Sequence, residues 1–198
     1  MDLFTPSEQL LPIELADGEL YLLGQLPLPQ DRTVVLGRLI AETAWRAESI
    51  TLWGRQVAQP RLSAWHGEKR YTYSGLTLEP LPFTPLQLQL KAAIEDVTGK
   101  RFNSVLLNYY RDGQDSMGMH SDDEAELGPA PAIASLSLGA TRRFVLRHKR
   151  TGQRLGLDLE NGSLLLMAGA TQANWLHGIN KSARQMGPRI NLTFRYIY

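Results

Sequence analysis

A histidine and an aspartate stand two positions apart in the segment His120-Ser-Asp122. Side chains two positions apart on an extended backbone point to the same side, so an imidazole and a carboxylate would face one space. A second histidine would complete two histidines and one carboxylate, a ligand set that favours non-haem Fe(II) with open coordination positions. The same short pattern also fits a solvated polar loop, and a third ligand elsewhere in the chain would decide between these interpretations.

The chain has three other histidines that could supply this third ligand. His177 is the preferred candidate, because a pair of strands could bring it beside His120. His148 lies in a run of basic residues, where nearby positive charge would disfavour a metal cation. His66 remains an alternative.

A polar stripe runs along the segment 188–195 near the C-terminus. One side of this segment carries Arg189, Asn191, Thr193 and Arg195, and the other carries Ile190, Leu192 and Phe194. Strict alternation is typical of a strand with one face in a core. Because an arginine fork pairs with a carboxylate through two hydrogen bonds, two arginines on one face could hold both ends of a short dicarboxylate. The alternative is a polar face in contact with water.

Length and composition describe an ordinary globular protein. The 198 residues are 43% hydrophobic and 21% charged, which predicts one domain over 1–198. Cysteine is absent, which excludes disulfides and thiolate metal sites and favours a cytoplasmic location. We expect no signal peptide, no membrane span and a monomer. The net charge of +1 does not decide whether nucleic acid is a partner.

Periodicity predicts helices first and short strands afterwards. We expect an irregular N-terminal arm with one short strand, a helix over 31–47 capped by Asp31, and a helix over 84–98 between Thr84 and Gly99. Residues 49–75 fit short strands broken by turns. Further strands are predicted at 103–110, 133–138, 143–148, 155–159, 163–167 and 190–197. This order indicates an α+β protein whose core is an antiparallel double sheet of jelly-roll type, with helices outside.

Together these features resemble the AlkB family of Fe(II)- and 2-oxoglutarate-dependent dioxygenases. The similarity covers roughly residues 50–198. It is most specific in Leu107-Asn-Tyr-Tyr-Arg-Asp-Gly, His120-Ser-Asp-Asp-Glu124 and the segments 144–149, 162–167 and 188–195. The resemblance implies a double-stranded β-helix with two or three supporting helices. Residues 1–48 would form an arm and a helix, 49–80 a nucleotide-recognition lid and 100–198 the catalytic core.

The resemblance also implies which residues bind iron and the cosubstrate. It assigns Fe(II) to His120, Asp122 and His177. It assigns the distal carboxylate of 2-oxoglutarate to Arg189 with Tyr110 and Asn191, and the chelating end to Arg195 and Asn108. The implied reaction uses O2 to oxidise an N-methyl group, which leaves as formaldehyde while 2-oxoglutarate becomes succinate and CO2.

The implied substrate is alkylated DNA, possibly RNA, carrying 1-methyladenine or 3-methylcytosine. Such a base must leave the stack before it can react. Tyr71 and Tyr73 match lid aromatics that would sandwich the flipped base with His120. Asp123 would accept a hydrogen bond from its exocyclic amine. The remaining substrate contacts would come from Arg61, Ser74 and Glu124.

Two further features have more than one interpretation. The segment Leu52-Trp53-Gly54 resembles a finger that fills the gap left by a flipped base, but Trp53 also fits a core aromatic. The basic run 142–154 fits phosphate binding or a solvated hairpin. Alternatives to DNA repair are an oxygenase acting on RNA or protein and a non-catalytic nucleic-acid-binding relative, although the intact ligand set disfavours the second.

Overall fold

Two antiparallel sheets form the centre of the computed structural model, which describes residues 9–52, 55–73 and 76–198. The larger sheet contains, in spatial order, β1 (Leu11–Ile13), β2 (Glu19–Leu23), β13 (Leu164–Ala168), β10 (Ile133–Gly139), β15 (Arg189–Arg195), β8 (Ser104–Tyr110) and β5 (Leu62–Gly67). The smaller sheet contains β12 (Arg154–Leu159), β11 (Arg142–His148), β14 (Trp175–Ile179) and β9 (Met117–His120). The predicted strands after residue 100 are therefore confirmed to within two residues at each end.

The two longer helices pack against the larger sheet, and the two short ones lie in connections between the two sheets. They are α1 (Arg32–Glu42), α2 (Pro85–Thr98), α3 (Thr171–Asn174) and a 3-10 turn at Ala125–Leu127. Thr84 and Gly99 cap α2 as predicted, the glycine with a φ of 64° that suits a left-handed helix end. Asp31 caps α1, but the prediction that this helix continues to residue 47 is wrong. The chain leaves the helix because Arg46 pairs with Ser63 at the edge of the sheet.

Apolar residues fill both sides of the larger sheet. On its outer side, Ile190, Leu192 and Phe194 of β15 pack in a core that includes Leu39 and Leu90 of the helices. On its inner side, residues of both sheets form a second core. All seven residues of β15 are buried, so its polar face looks into the space between the sheets and not into water. This two-sheet arrangement with helices outside is the predicted jelly-roll architecture.

The N-terminal arm is more regular than the sequence indicates. It forms two strands, and β2 extends the larger sheet by pairing with β13. The indole N–H of Trp175 donates to the carbonyl of Ala16 at 2.8 Å, and Asn174 donates to the carbonyl of Asp17 at 2.9 Å. These bonds attach the arm to the strand that carries His177.

Two hairpins lie apart from the main sheets. They are β3 (Ser49–Leu52) with β4 (Arg55–Ala58), and β6 (Tyr71–Tyr73) with β7 (Leu76–Leu78). Both fall in the segment expected to form a lid. Among the helices of the described residues, none has the length and apolar character needed to cross a membrane.

Candidate metal centre and active site

The smaller sheet brings the three candidate metal ligands together. His120 ends β9, and it is the direct register partner of His177 on β14. One ligand atom from each of His120, Asp122 and His177 lies within 4.8 Å of the others. His66 instead faces the carbonyl of Pro82 at 2.8 Å. His148 is occupied by local backbone N–H groups, so neither joins the cluster.

The protonation states of the cluster suit a cation. The Nδ1 of His120 lies 2.9 Å from the carbonyl of Gly118, so a proton on Nδ1 would leave Nε2 free to bind metal. Burial, aided by the nearby His120, lowers the pKa of His177 to about 3 and keeps it neutral. Burial alone would raise the pKa of Asp122, but the adjacent Arg195 and the two histidines bring it down to about 2. The cluster thus offers a neutral imidazole at His177 and an ionised carboxylate at Asp122 at neutral pH.

The low pKa of His177 makes the metal-free protein sensitive to acid. Between about pH 6.5 and pH 3, His177 is protonated in the unfolded chain but stays neutral in the folded protein. The free energy of unfolding should therefore fall by up to about 1.4 kcal/mol per pH unit on this account. Urea unfolding of metal-free protein between pH 7.5 and 4.5 measures it, and His177→Leu should flatten the pH dependence. Equal slopes in both proteins would contradict the assignment.

Asp122 is held by a buried ion pair. The Nη2 of Arg195 lies 2.9 Å from both carboxylate oxygens, and both side chains are almost fully buried. The resemblance assigns Arg195 to the chelating end of 2-oxoglutarate. In the structure this guanidinium orients the carboxylate ligand, and its Nε has no hydrogen-bond partner in the described part of the chain.

Arg189 presents two unpaired donors to the space beside the cluster. Its Nη2 donates to Ser137 at 2.9 Å, and the guanidinium carbon lies 5.1 Å from the centre of the Tyr110 ring. Its Nε and Nη1 are buried and have no partner among residues 9–52, 55–73 and 76–198. Because buried donors are almost always paired, this fork fits a carboxylate ligand in the narrow cavity that Arg189 shares with the metal cluster.

The two asparagines assigned to cosubstrate binding differ in their surroundings. Asn191 uses its amide within the protein: Nδ2 donates to Ser135 and Leu136, and Oδ1 accepts from Thr193. The structure therefore shows it supporting the polar face of β15. Asn108 accepts a 2.7 Å bond from the Nε of Arg61, so the predicted lid arginine is buried beside the cosubstrate cavity.

A larger cavity of about 390 Å³ opens on the other side of His120 and Asp122. Its walls include Arg61, Leu106 and Met119, with Glu124 as an acid. This volume lies within the range of small-molecule sites. Asp123, between the lining residues Asp122 and Glu124, is not itself part of the wall: it is half exposed and bonds to Ser121 at 2.9 Å and to the Nζ of Lys149 at 3.1 Å. The cavity can therefore admit a planar cationic group next to the metal cluster.

Tyr71, predicted to stack on a base, lies in the wall of the larger cavity and packs closely within the protein. Its ring stacks on Trp65, with 4.9 Å between the ring centres, and Arg195 lies 5.6 Å from its ring centre. Only 1% of Tyr71 is exposed. Its hydroxyl instead donates to Glu124 at 2.6 Å, so Tyr71 orients that acid. Trp53 and Ser74 lie outside the described residues, and of Tyr73 only the backbone, at the end of β6, is described.

The basic run 142–154 divides into buried and exposed residues. Arg142 is buried and donates to the carbonyls of Asp112, Asp115 and Asn180, so it is structural and not available to phosphate. Arg147 and Arg154 are exposed and stand opposite each other in the register of β11 and β12.

Sequence reasoning missed several contributors to the site. Ser137 contacts Arg189, and Gln172 accepts from the backbone N–H of Asp122 at 2.9 Å. The alternating serines of Ser135-Leu-Ser137 on a buried strand are a signal that could have indicated the first. Gln172 lies fifty positions from its partner, and no local pattern marks it.

The chain is similar to known oxygenases over most of its length. Residues 19–195 match the family model described as the 2OG-Fe(II) oxygenase superfamily. The alpha-ketoglutarate-dependent dioxygenase alkB homolog 3 of Mus musculus is 44% identical over 174 residues, covering 83% of this chain and 61% of that protein. The DNA oxidative demethylase ALKBH2 of Mus musculus is 39% identical over 189 residues, covering 84% of this chain and 79% of that protein. This chain thus spans less than two thirds of alkB homolog 3.

A solved structure confirms the fold. The structure of OsALKBH1 superposes with a TM-score of 0.69, covering 93% of this chain and 99% of that chain. The sequences are only 16% identical, so this likeness concerns the fold alone.

Proposed function

Because the chain belongs to the AlkB family of the 2OG-Fe(II) oxygenase superfamily, we propose that it is an oxidative demethylase of N-alkylated bases in DNA, such as 1-methyladenine and 3-methylcytosine. The name of the ALKBH2 relative, DNA oxidative demethylase, supports this reaction class. One observation carries the proposal: the metal cluster and the unpaired N–H groups of Arg189 face the same cavity.

The residues fit the cofactors that the superfamily name specifies. His120, Asp122 and His177 would hold Fe(II), and Arg189 would bind the distal carboxylate of 2-oxoglutarate. When bound, these groups supply the O2-dependent oxidation of an N-methyl group, with formaldehyde, succinate and CO2 as products. The protein itself orients these groups. Arg195 fixes the carboxylate of Asp122, and the buried Ser137 and Tyr110 fix the guanidinium of Arg189.

Two acids, Asp123 beside the larger cavity and Glu124 in its wall, support a cationic base as substrate. Asp123 is ionised at neutral pH, since the ammonium group of Lys149 and the hydroxyl of Ser121 outweigh partial burial and keep its pKa below the usual range. Bases methylated at N1 of adenine or N3 of cytosine carry a positive charge, which a nearby carboxylate favours over the neutral bases. The Tyr71–Glu124 pair adds a second oriented acid in the cavity wall.

The exposed part of the basic run supports contact with the phosphate backbone. Two like charges directly opposite each other on a sheet are unfavourable in a free protein. An anion near Arg147 and Arg154 would relieve this repulsion. Phosphate contacts hold nucleic acid in place without reading its sequence, so they suit an enzyme whose target is the damaged base.

The experiment is formaldehyde release from matched oligonucleotides with one 1-methyladenine in single-stranded DNA, duplex DNA or RNA, with Fe(II), ascorbate and 2-oxoglutarate. We expect release from DNA, and Asp123→Asn should lower the rate about 10-fold with a charged base. Release from RNA alone would favour the alternative of an RNA demethylase. If succinate forms but none of the oligonucleotides releases formaldehyde, the protein would still be an oxygenase, and nucleic-acid demethylation would be contradicted.

A further inference from the structure

The backbone of the carboxylate ligand lies beyond the end of its strand. β9 ends at His120, and residues 121–124 belong to no strand. A strand ladder therefore does not hold the N–H of Asp122. This N–H donates instead to the side-chain Oε1 of Gln172, 2.9 Å away and buried. The side-chain amide of Gln172 thus supplies the acceptor for the Asp122 N–H that a neighbouring strand would otherwise supply.

Gln172 is itself held firmly. It is 1% exposed, and its Nε2 contacts the Sδ of Met167 at 3.5 Å. It lies in α3, whose first residue, Thr171, has its hydroxyl 2.7 Å from the carbonyl of Ala168 and 2.9 Å from the backbone of Glu19. The short helix is thereby anchored to both β13 and β2, so the amide of Gln172 is presented in one orientation.

The same helix also reaches the neighbouring acid. The Nζ of Lys149 donates to the carbonyl of Gln172 at 2.9 Å and to Asp123 at 3.1 Å. The consecutive residues Asp122 and Asp123 are therefore both attached to α3, the first through its backbone and the second through a lysine. Only the first attachment touches a metal ligand.

We infer that Gln172 is a positioning residue of the metal centre, which fixes the backbone of Asp122 so that its carboxylate faces His120 and His177. The inference rests on the proposed function, since it assumes that these three residues bind metal. Residues that orient metal ligands typically change metal affinity about 10- to 100-fold when they are replaced. Loss of Oε1 would also leave the N–H of Asp122 buried and unpaired, which favours movement of the segment 121–124.

The test is Mn(II) affinity, measured by anaerobic titration calorimetry without cosubstrate or substrate. Gln172→Met has similar length and lacks the acceptor, and we expect its Kd for Mn(II) to rise about 10- to 100-fold. Gln172→Glu keeps an acceptor oxygen and should bind Mn(II) more tightly than Gln172→Met. Gln87→Met is the matched control, because Gln87 is a fully buried glutamine that caps α2 far along the chain from the ligands. It should lower thermal stability and leave the Kd unchanged.

Two results would overturn the inference. One is a Gln172→Met protein that folds and binds Mn(II) as tightly as the wild type. The other is equal weakening in Gln87→Met, since the effect would then reflect general destabilisation. The proposed function is judged by a separate result, formaldehyde release by the wild-type protein, so the two can fail independently.

Discussion

Arg189→Met is expected to abolish 2-oxoglutarate binding and at the same time to stabilise the free protein. If Arg189 binds the cosubstrate as proposed, the variant removes two charge-assisted hydrogen bonds, each worth about 1.5–3 kcal/mol. The Kd for 2-oxoglutarate should therefore rise by roughly 100- to 1000-fold or more. In the free protein, however, Arg189 is a buried cation, and two of its donors have no partner among the residues that the structure describes. Its replacement by an apolar chain should raise the free energy of unfolding by about 1–2 kcal/mol.

Calorimetry with 2-oxoglutarate and Mn(II), together with urea unfolding of the free protein, measures both effects. Arg189→Lys keeps the charge but loses the planar fork, so its affinity should fall between those of the wild type and Arg189→Met. Arg147→Met is the control for loss of an exposed arginine and should leave the affinity for 2-oxoglutarate unchanged. An Arg189→Met protein with wild-type affinity for 2-oxoglutarate would contradict the proposal that Arg189 binds the cosubstrate.

Arg195→Met is expected to destabilise the metal-free protein by about 3–5 kcal/mol, because it leaves the carboxylate of Asp122 buried without its partner. The pKa of Asp122 should then rise, since the adjacent positive charge that lowers it is gone. Mn(II) should restore part of the lost stability by supplying a cation beside the same carboxylate. Urea unfolding with and without Mn(II) measures both changes.

The matched control for this variant is Arg143→Met. Arg143 forms a 2.9 Å ion pair with Asp158, but both side chains are more than half exposed. An exposed pair of this kind contributes about 0–1 kcal/mol. If Arg195→Met were no more destabilising than Arg143→Met, the buried pair would not be what holds the carboxylate ligand.

The sequence predicted those parts of the site that depend on local periodicity. The alternation of β15 placed Arg189, Asn191, Thr193 and Arg195 on one face, and the structure has them on one face between the sheets. The pairing of His120 with His177 followed from an expected strand pair, and these two residues are direct register partners. Cap signals at Thr84 and Gly99 gave the ends of α2 correctly because a cap depends only on neighbouring residues.

The features that the sequence did not reveal depend on contacts between distant segments. The partner of Arg195 is Asp122, 73 positions away, and the alternation of one strand cannot show which acid lies opposite it. The hydroxyl of Tyr71 pairs with Glu124, 53 positions away, and no local pattern shows this contact. The C-terminal end of α1 likewise depends on a contact outside the helix, the pairing of Arg46 with Ser63.

The most direct test of the central claim is the joint yield of formaldehyde and succinate from a single-stranded DNA oligonucleotide with one 1-methyladenine. Wild-type protein and His120→Ala would be compared with Fe(II), ascorbate and 2-oxoglutarate, and with each reagent left out. We predict equal amounts of the two products from the wild type, dependence on both Fe(II) and 2-oxoglutarate, and no product from His120→Ala. Undiminished product from His120→Ala, or from wild-type protein without added 2-oxoglutarate, would contradict the assignment of the metal centre.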